Sequence, residues 1–350
     1  MLAVVRLRLV DIAARAGVSE ATVSRVLNDK PVTELTRERV LTAIDVLGYE
    51  RPARLRRKPA GLVGLVVPEL VNPVFPLFAQ LIETALVKHG YTPVLCTQTP
   101  GGVHEDDYVQ MLLERGAAGI IFVSGIHAIT QTDTERYSRL LSQGVPIVLV
   151  NGFQADVRAP NLSQDDTVAV DLAVRHLYQL GHRRIGLALG PRRYTPVSRR
   201  IAAFDRLALE LTDMVPLVEC SQYSVEGGAS AAHALIDQHA TGIVCGSDLM
   251  ALGAIRSARL RGLRVPQDVS VVGSDDGLLA QFADPPLTTV RQDVAGMSAA
   301  AVRALLEEIT GTPSPHNELL FPPELVVRAS TAAPGTARRG TVGGPVTHTA

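Results

Sequence analysis

The sequence contains no tryptophan, and its aromatic content is only 4%. Its three cysteines, Cys96, Cys220 and Cys245, are far apart and show no CxxC spacing. This pattern argues against a disulfide framework and a zinc site, and the apolar surroundings of the three thiols favour core positions. Cysteine usage therefore indicates a reducing compartment, so we expect a cytoplasmic protein without a metal or a cofactor.

Long apolar runs and enzyme motifs are also missing. No stretch approaches the roughly 20 apolar residues of a membrane-spanning helix. The N-terminal residues MLAVVRLRLVDIA are interrupted by Arg6 and Arg8 and lack the features of a signal peptide. No GxGxxG turn follows a strand, and no GxSxG, HExxH or Walker motif is found. The sequence thus argues against an enzyme, such as a dehydrogenase, and against the secreted sugar-binding protein of a transporter.

Charge, by contrast, is present and unevenly distributed. The whole chain has a formal net charge of −1, which by itself gives no sign of nucleic-acid binding. Residues 1–60, however, hold 12 Lys and Arg against 7 Asp and Glu, a net of +5, whereas the remainder carries −6. A basic N-terminal region on an acidic body favours contacts between that region and nucleic-acid phosphates, although small domains with a net charge of +5 are common.

The segment DIAARAGVSEATVSRVLN, residues 11–28, predicts two short helices joined by a tight turn. Ile12 and Ala16 share one face of the first helix, and Gly17 can end that helix in a left-handed conformation. Ser19 is a good N-cap for the second helix, whose apolar side would be buried. Periodicity alone favours an ordinary helical hairpin, whereas a helix–turn–helix would place its second helix in the DNA major groove.

A third helix is predicted from an N-cap at Thr33 to Gly48, and residues 50–60, ERPARLRRKPA, form a basic linker. From residue 61 onward, apolar strands alternate with helical stretches, which predicts parallel sheets covered on both faces. The pattern occurs twice along the chain. We therefore expect an α/β body of two similar lobes, with a ligand cleft at the carboxyl ends of the strands.

These patterns divide the chain into a helical head with its basic linker in residues 1–60, which we expect to bind DNA if the two short helices form a helix–turn–helix, a body in residues 61–330 and a disordered tail in residues 331–350. The expected lobes of the body are an N-lobe of about residues 61–160 and 291–318, and a C-lobe of about residues 161–290 and 319–330. Helix–turn–helix heads read two half-sites only when two-fold symmetry pairs them, so we expect a homodimer. The tail shows no heptad pattern, so we expect no further coiled-coil contact that would build a tetramer.

The chain resembles the LacI/GalR repressor family over about residues 9–330. In the head the resemblance is carried by DIAARAGVSEATVSRVLN and KPVTELTRERVLTAIDVLGY, and in the body by NPVF, LGHRRIGLALG, SDLMALGAIR, DVSVVGSDD and PPLTTVRQD. Three further stretches resemble the maltose/α-glucan operon repressors of high-GC Gram-positive bacteria. They are LGYERPARLRRKPAGLVGLVVPELVNPVFP, CTQTPGGVHED and VEGG.

The resemblance implies a helix–turn–helix head, a body like a periplasmic binding protein, and a transcriptional repressor of a carbohydrate-utilisation operon. Its partners would be a pseudo-palindromic double-stranded DNA operator, a second copy of the chain, and a sugar that binds between the lobes and releases the repressor. The subgroup implies maltose or an α-glucan. The alternatives are repression of a different sugar operon and, in another class, a sugar-binding module of a transporter.

At the DNA end, three side chains can read bases. Arg25 can donate to guanine O6 and N7, Ala21 can touch a thymine methyl group, and Glu20 can accept from cytosine N4. The resemblance implies that Leu55 is a minor-groove wedge, and a basic tether that touches only phosphates is nearly as good an explanation. The other candidates position the head on DNA or approach the backbone. They are Arg8, Leu9, Ser19, Ser24, Asn28, Arg54 and Arg56.

In the cleft, the resemblance implies a set of effector-binding residues. Arg200 lies at the place of the family's ligand-binding arginine, Tyr223 aligns with an aromatic residue that stacks on the sugar, and Asp275 can accept two sugar hydroxyls. A structural ion pair with Arg200 is the alternative role for Asp275. The remaining candidates are three polar residues and one aromatic residue. They are Phe75, Asn151, Ser247 and Gln292.

Overall fold

The computed structural model describes residues 8–28, 30–47, 60–98, 101–312 and 314–335. The chain divides between Ala60 and Gly61 into two units, a head and a body. Within the described residues, no helix combines the length and the apolar composition that crossing a membrane requires. The predictions for Gly48 and for the linker residues lie outside the described residues. Those linker residues are Arg54, Leu55 and Arg56.

The described part of the head consists of α1 (Leu9–Ala16), α2 (Glu20–Leu27) and α3 (Glu34–Val46). Gly17 follows α1 with φ 66°, a left-handed conformation that glycine adopts without a steric penalty. The Ser19 hydroxyl accepts a hydrogen bond from the backbone N–H of Thr22 at 3.2 Å and thereby caps α2. The predicted helix–turn–helix and its third helix are therefore present.

A small aliphatic core holds the three helices of the head together. Each helix contributes the face that its periodicity predicted, and the interior contains no polar side chain among the residues that form this cluster. The buried members are Ile12, Ala13, Ala16, Val23, Val26, Leu27, Val40, Ala43 and Ile44. Because burying one branched side chain contributes roughly 1.5–3 kcal/mol, a few such contacts determine the stability of this unit.

The body alternates strands and helices, as predicted. In chain order its elements are β1 (Gly61–Val67), α4 (Val74–Lys88), β2 (Tyr91–Thr97), α5 (Glu105–Glu114), β3 (Ala117–Val123), α6 (Glu135–Ser142), β4 (Ile147–Val150), β5 (Asn161–Gln164), α7 (Asp166–Gln179), β6 (Arg184–Leu189), α8 (Thr195–Glu210), β7 (Val215–Cys220), α9 (Val225–Asp237), β8 (Gly242–Cys245), α10 (Asp248–Leu260), β9 (Ser270–Asp275), β10 (Thr288–Arg291), α11 (Val294–Ile309), β11 (Glu318–Phe321) and β12 (Glu324–Val326). Short 3₁₀ turns lie at Ile126–Ala128 and Leu278–Phe282.

These strands form two six-stranded sheets. The N-lobe sheet has the order β11-β5-β4-β3-β1-β2 and is parallel throughout. The C-lobe sheet has the order β12-β10-β9-β8-β6-β7 and is parallel except for its edge strand β12. Each sheet is covered by apolar clusters on both faces, so the prediction of two parallel-sheet lobes is confirmed.

The boundary between the lobes differs from the prediction at two strands. Residues 161–164 were assigned to the C-lobe and residues 319–321 as well, but β5 and β11 pair with each other in the N-lobe sheet. The chain therefore crosses between lobes after Gln164, after Arg291 and after Phe321. The sequence NLSQ of β5 is short and largely polar, so it lacks the apolar run by which the other inner strands were recognised.

The predicted tail also begins too early. The Thr331 hydroxyl lies 2.9 Å from Nε2 of His176, and the Ala332 carbonyl accepts a hydrogen bond from Nε2 of His182 at 2.9 Å. The backbone N–H of Gly335 donates to Gln267 at 3.2 Å. Residues 331–335 therefore contact the C-lobe, because hydrogen bonds with the half-buried His176 and the buried His182 compensate for a composition that is typical of disorder.

Candidate functional site

The exposed face of α2 carries the predicted base-reading residues. Glu20, Ala21 and Arg25 are all exposed, whereas the apolar side of the helix is buried in the head. Nη2 of Arg25 donates to the carbonyl of Pro31 at 3.0 Å, so the guanidinium lies beside the loop that follows α2. A polar, solvent-facing helix of this kind can enter a major groove and present several hydrogen-bonding groups to base edges.

The other described DNA candidates surround this helix in different environments. Arg8 is exposed, and its backbone N–H donates to Asp11 at 2.9 Å at the start of α1. Leu9 is half-buried and packs against the head core, so its side chain serves packing. Nδ2 of Asn28 donates to the carbonyl of Ser24 at 2.7 Å and thereby satisfies the end of α2. Ser19 and Asn28 are exposed, and Ser24 is half-buried.

A cavity of about 610 Å³ lies between the two lobes of the body. It forms where the carboxyl ends of the strands from both sheets face each other, which is the usual ligand position in open α/β sheets. Every predicted effector residue lines it, so the tertiary structure brings all of them together. They are Phe75, Asn151, Arg200, Tyr223, Ser247, Asp275 and Gln292.

Arg200 pairs with Asp166 and not with Asp275. Nε of Arg200 lies 2.9 Å from Oδ1 of Asp166, and its Nη1 donates to the carbonyl of Gly246 at 3.2 Å. Both members of the pair are buried, with 9% and 5% of their surface exposed. Burial raises the pKa of the Asp166 carboxyl, and the charge of Arg200 opposes that shift. No ion pair joins Arg200 to Asp275 among the described residues, because the carboxylate that contacts this guanidinium is Asp166.

Asp275 has amide partners. Its Oδ1 accepts from Nε2 of Gln292 at 3.0 Å, and its Oδ2 lies 3.5 Å from Nδ2 of Asn72. Burial, with the nearby charge of Asp248, raises the pKa of Asp275 to about 8. Its φ of 112° is unusual for a residue with a side chain and indicates local strain at the end of β9. The carboxyl is thus held at the cavity by two amide partners, with the charges of Asp248 and Arg200 nearby.

Two aromatic rings form part of the wall. The rings of Tyr223 and Tyr194 have centroids 6.3 Å apart and are inclined by 55°. A side chain at Gly190 would overlap Tyr223, because its Cβ would lie 2.0 Å from the ring. Burial raises the pKa of the Tyr223 phenol, which keeps it neutral and able to donate a hydrogen bond. The apolar faces of these rings suit the C–H surface of a sugar.

Three further lining residues lie at the ends of strands or helices: Asn151, Ser247 and Phe75. The Ser247 hydroxyl accepts from the backbone N–H of Met250 at 3.2 Å, so it caps α10 as well as lining the site. Asn151 directly follows β4 and adopts a positive φ of 61°. Phe75 lies in the first turn of α4. All three positions follow from the rule that residues after parallel strands gather at one edge of a sheet.

Sequence reasoning missed several polar residues of the cavity, including Asp166 and Glu105. Glu105 is 1% exposed, and its carboxylate accepts from the Tyr137 hydroxyl at 2.6 Å, Nε2 of Gln98 at 2.7 Å and the backbone N–H of Ile126 at 3.2 Å. Both carboxylates begin helices that follow strands, and that position was a usable signal. What the sequence could not show is that they are buried.

Two buried amide atoms in the lining have no hydrogen-bond partner among the described residues. They are Nε2 of Gln164, a donor, and Oε1 of Gln292, an acceptor. Buried polar atoms are nearly always hydrogen-bonded, so these two mark places where a polar ligand can bind. In the same part of the chain, no cluster of three or more His, Cys, Asp or Glu side chains is arranged to hold a metal ion.

Two protein-family descriptions match the chain. The description "Bacterial regulatory proteins, lacI family" matches residues 8–52, which include the helix–turn–helix. The description "Periplasmic binding protein-like domain" matches residues 174–331, which lie in the body. The sequence is also 62% identical over 341 residues to the HTH-type transcriptional regulator reg1 of Streptomyces lividans, an alignment that covers 95% of this chain and 99% of that one.

Further relatives agree with this result. The HTH-type transcriptional regulator MalR of Streptomyces coelicolor is 62% identical over 340 residues, with 95% of this chain and 99% of that protein covered. Among solved structures, a complex of the transcriptional regulator CelR with cellobiose matches with a TM-score of 0.69 at 30% identity, over 93% of this chain and 100% of that one. A lac repressor dimer bound to operator and an anti-inducer matches with a TM-score of 0.69 at 28% identity, over 93% and 99%.

Proposed function

This protein belongs to the LacI family of bacterial regulatory proteins, and we propose that it represses a carbohydrate-utilisation operon until a sugar binds between its lobes. It is a DNA-binding transcriptional regulator and not an enzyme. The observation that carries the sugar proposal is the interlobe cavity, which gathers every residue of the predicted effector set. As a regulator of an operon, it would act in the cytoplasm.

On the DNA side, we assign base reading to Glu20, Ala21 and Arg25, which are exposed together on α2. Arg25 would leave the Pro31 carbonyl and donate to a guanine. The repressor acts as a dimer, and two-fold symmetry would present two such helices to the halves of a pseudo-palindromic operator. Exposed apolar side chains such as Leu278 and Phe282 on the C-lobe, and Val71 on the N-lobe, are suited to burial between protomers.

On the effector side, the cavity fits a small carbohydrate. Its volume of about 610 Å³ lies within the range of roughly 300–1,000 Å³ for small-molecule sites. Tyr223 and Tyr194 offer ring faces, Asp275 can accept hydroxyl groups, and Gln164 and Gln292 offer an unused donor and an unused acceptor. This combination suits the alternating C–H and hydroxyl surface of a sugar.

We further propose an α-linked glucose oligosaccharide, maltose or longer, as the effector. The support is the resemblance to maltose/α-glucan operon repressors and the 62% identity to a regulator named MalR. The cellobiose complex of a relative supports a glucose disaccharide in general but not the α linkage, because cellobiose is β-linked. The sugar acts by linkage. It weakens operator binding only to the extent that it prefers the lobe arrangement that DNA does not favour.

The test separates the two sites. Operator fragments retained by the protein are identified by sequencing, and the labelled complex is then titrated with maltose, maltotriose, lactose, galactose and ribose in an anisotropy assay. We expect release by the α-glucans. Release by ribose or galactose alone would reject the maltose assignment, and no release by any sugar would contradict control by a sugar.

Two variants make the result specific. Arg25→Ala should lose about 1–3 kcal/mol of discrimination at one operator base pair while its affinity for sugar is unchanged. Asp275→Asn should bind the operator like the wild type, because residue 275 lies in the body and not on the head. The variant should no longer respond to maltose, because its amide replaces the carboxyl group that can accept sugar hydroxyls. If either substitution changed both activities equally, the assignment of separate DNA and sugar sites would be wrong.

A further inference from the structure

The two lobes contact each other directly at the border of the interlobe cavity. In the first contact, the segment after β3 of the N-lobe meets the segment before α8 of the C-lobe. Ile129 and Tyr194 form an isolated antiparallel bridge, and the backbone N–H of Thr130 donates to the carbonyl of Arg193 at 2.8 Å. The Thr130 hydroxyl donates to the same carbonyl at 3.1 Å. This contact, the loop bridge, therefore joins the lobes mainly through backbone atoms.

An ion pair forms the second contact between the lobes. Arg199 lies in the second turn of α8 in the C-lobe, and Glu318 begins β11 of the N-lobe sheet. Nη1 and Nη2 of Arg199 donate to Oε1 and Oε2 of Glu318 at 2.6 and 2.9 Å. The two side chains are 29% and 14% exposed, so the pair is partly shielded from water. Two parallel hydrogen bonds of this kind fix both the distance and the orientation of the groups.

Helix α8 is fixed to the C-lobe, so the ion pair depends on where the N-lobe lies. The residue after Arg199, Arg200, pairs with Asp166 at the start of α7 within the C-lobe, at 2.9 Å. Phe204 of α8 is fully buried among apolar side chains of the same lobe. The helix therefore stays with the C-lobe when the lobes separate, and separation breaks both hydrogen bonds between Arg199 and Glu318.

The covalent connections between the lobes leave room for such a movement. The chain crosses between them only after Gln164, Arg291 and Phe321. A hinge needs only a few such residues at the ends of strands, because the apolar core of each lobe moves as a unit. A further polar contact across the cleft, between Asn72 and Asp275, is longer at 3.5 Å. The loop bridge and the ion pair are thus the closest polar contacts that oppose separation in the described part of the cleft.

A sugar between the lobes and the ion pair favour the same arrangement. A ligand that contacts both walls of the cavity binds most tightly when the walls are close, and the ion pair forms only in that arrangement. When the lobes separate, water solvates Arg199 and Glu318 individually. Two interactions that stabilise one arrangement strengthen each other, because each removes part of the cost of reaching it.

We propose that Arg199 and Glu318 form a cross-lobe latch that sets how much sugar is needed to release the operator. This inference rests on the proposed function, because it concerns the control of the same cavity. The latch stabilises the arrangement in which the lobes are in contact and thereby increases the affinity for sugar. Glu318 acts as a positioning residue, since it does not line the cavity in the described part of the chain.

The test removes the charge of the latch and leaves the direct sugar contacts in place. Glu318→Gln in the full-length protein should bind maltose and maltotriose about 5-fold more weakly or worse in isothermal titration calorimetry. The maltose concentration that releases half of the operator should rise by a similar factor, and operator affinity without sugar should be unchanged or higher. A general loss of folding would instead reduce the affinity for both ligands.

Glu210→Gln is the matched control. Glu210 also belongs to α8 and pairs with an arginine, Arg175 of α7 at 2.7 Å, but both partners lie in the C-lobe. This variant should bind maltose within about twofold of the wild type. The latch would be overturned if Glu318→Gln also stayed within about twofold, or if both variants lost sugar affinity equally.

The loop bridge provides a readout that needs no sugar. The backbone N–H of Thr130 donates across the lobes, so it exchanges with solvent when they separate. Hydrogen exchange of the peptide that contains Thr130, followed by mass spectrometry, should be about 5-fold faster in Glu318→Gln than in the wild type. The rate should not change in Glu210→Gln. An unchanged rate in Glu318→Gln would contradict the latch, because the two contacts would then break independently.

A second substitution shows whether the two side chains act as one unit. Arg199→Gln should accelerate exchange at Thr130 as much as Glu318→Gln does, and the double variant should exchange no faster than either single variant. Effects that multiply in the double variant would mean that the two residues have separate roles.

The failure of this inference differs from the failure of the proposed function. If maltose and maltotriose act on the wild type while Glu318→Gln behaves like it, the sugar-controlled repressor stands and the latch is overturned. If no sugar binds or releases the operator, control by a sugar fails, and the exchange rates at Thr130 still decide whether the ion pair holds the lobes together.

Discussion

The two walls of the cavity stabilise buried carboxylates in different ways. On the C-lobe wall, Asp166 has a guanidinium partner, Arg200, at 2.9 Å. On the N-lobe wall, Glu105 has neutral partners, with the Tyr137 hydroxyl at 2.6 Å as the nearest. Both carboxylates begin helices, at α7 and α5, and both are almost inaccessible to solvent. Their positions in the two lobes are thus comparable, whereas their chemistry is not.

The difference shows what each wall contributes to the site. A buried ion pair compensates two desolvated charges at once, and removing one partner leaves the other unpaired. Neutral donors offset the cost of burying a carboxylate through several separate hydrogen bonds. Each hydrogen bond contributes roughly 0.5–1.5 kcal/mol to stability, or more because the acceptor is charged. We therefore expect the C-lobe wall to be sensitive to a single substitution and the N-lobe wall to lose stability gradually. The following predictions examine this contrast.

The largest effect is expected at the ion pair. Arg200→Met keeps the apolar stem but leaves Asp166 buried without its cation, so the free energy of unfolding should fall by about 3–5 kcal/mol. Urea unfolding followed by circular dichroism measures it. Arg175→Met is the control, because Arg175 pairs with Asp171 and Glu210 at the surface and should cost less than about 1 kcal/mol. Similar losses for both variants would mean that burial does not distinguish the pairs.

A smaller effect is expected on the N-lobe wall. Tyr137→Phe removes the hydroxyl that donates to Glu105 and accepts from the backbone N–H of His127 at 2.9 Å. The expected loss is about 1–3 kcal/mol, since two buried polar groups lose a partner. Tyr178→Phe provides the matched control, because its hydroxyl contacts Asp213 in solvent. If Tyr137→Phe destabilised the body as much as Arg200→Met does, the contrast between the walls would disappear.

The third prediction concerns Asp275, a carboxyl with amide partners on the C-lobe side. Its pKa is raised from 3.8 to about 8 by burial, so between these values the folded chain holds a proton that the unfolded chain has released. The free energy of unfolding should therefore decrease as pH rises from about 4 to 8. Asp275→Asn should flatten this dependence in thermal or urea unfolding at several pH values, although Asp248, whose pKa is also raised, retains part of it.

An Asp275→Asn variant with an unchanged pH profile would show that this carboxyl is ionised in the folded protein. The surface variant Asp106→Asn controls for the loss of one carboxylate. The pH dependence adds a third case to the comparison of the two walls, because it measures whether amide partners alone keep a buried carboxylate charged.

Much of the site could be predicted because it depends on chain order. The family resemblance implied that Asn151, Asp275 and Gln292 meet in the cleft, and all three line it, as residues that follow parallel strands gather at one edge of a sheet. The caps at Gly17 and Ser19 were equally local, since each depends on backbone conformation within a few residues. Roles of these residues in binding stay predictions until the experiments above are done.

The pairing partners could not be predicted in this way. Asp166 and Arg200 are 34 positions apart, and nothing in their neighbourhoods distinguishes this pair from Arg200 with Asp275. The same is true of β5 and β11, which pair across the lobe crossings. Hydrogen bonds to His176 and His182 hold residues 331–335, whose composition alone is typical of disorder.

The sequence by itself determined the order of elements, the helix–turn–helix and the two α/β lobes, because hydrophobic periodicity and capping act over a few residues. It also carried the family resemblance that pointed to a repressor. Tertiary structure alone decided which buried charges are paired, since the energy of a carboxylate depends on burial and on distant partners. That is why the cavity was expected from the sequence, and the pairing of the charged side chains that line it was not.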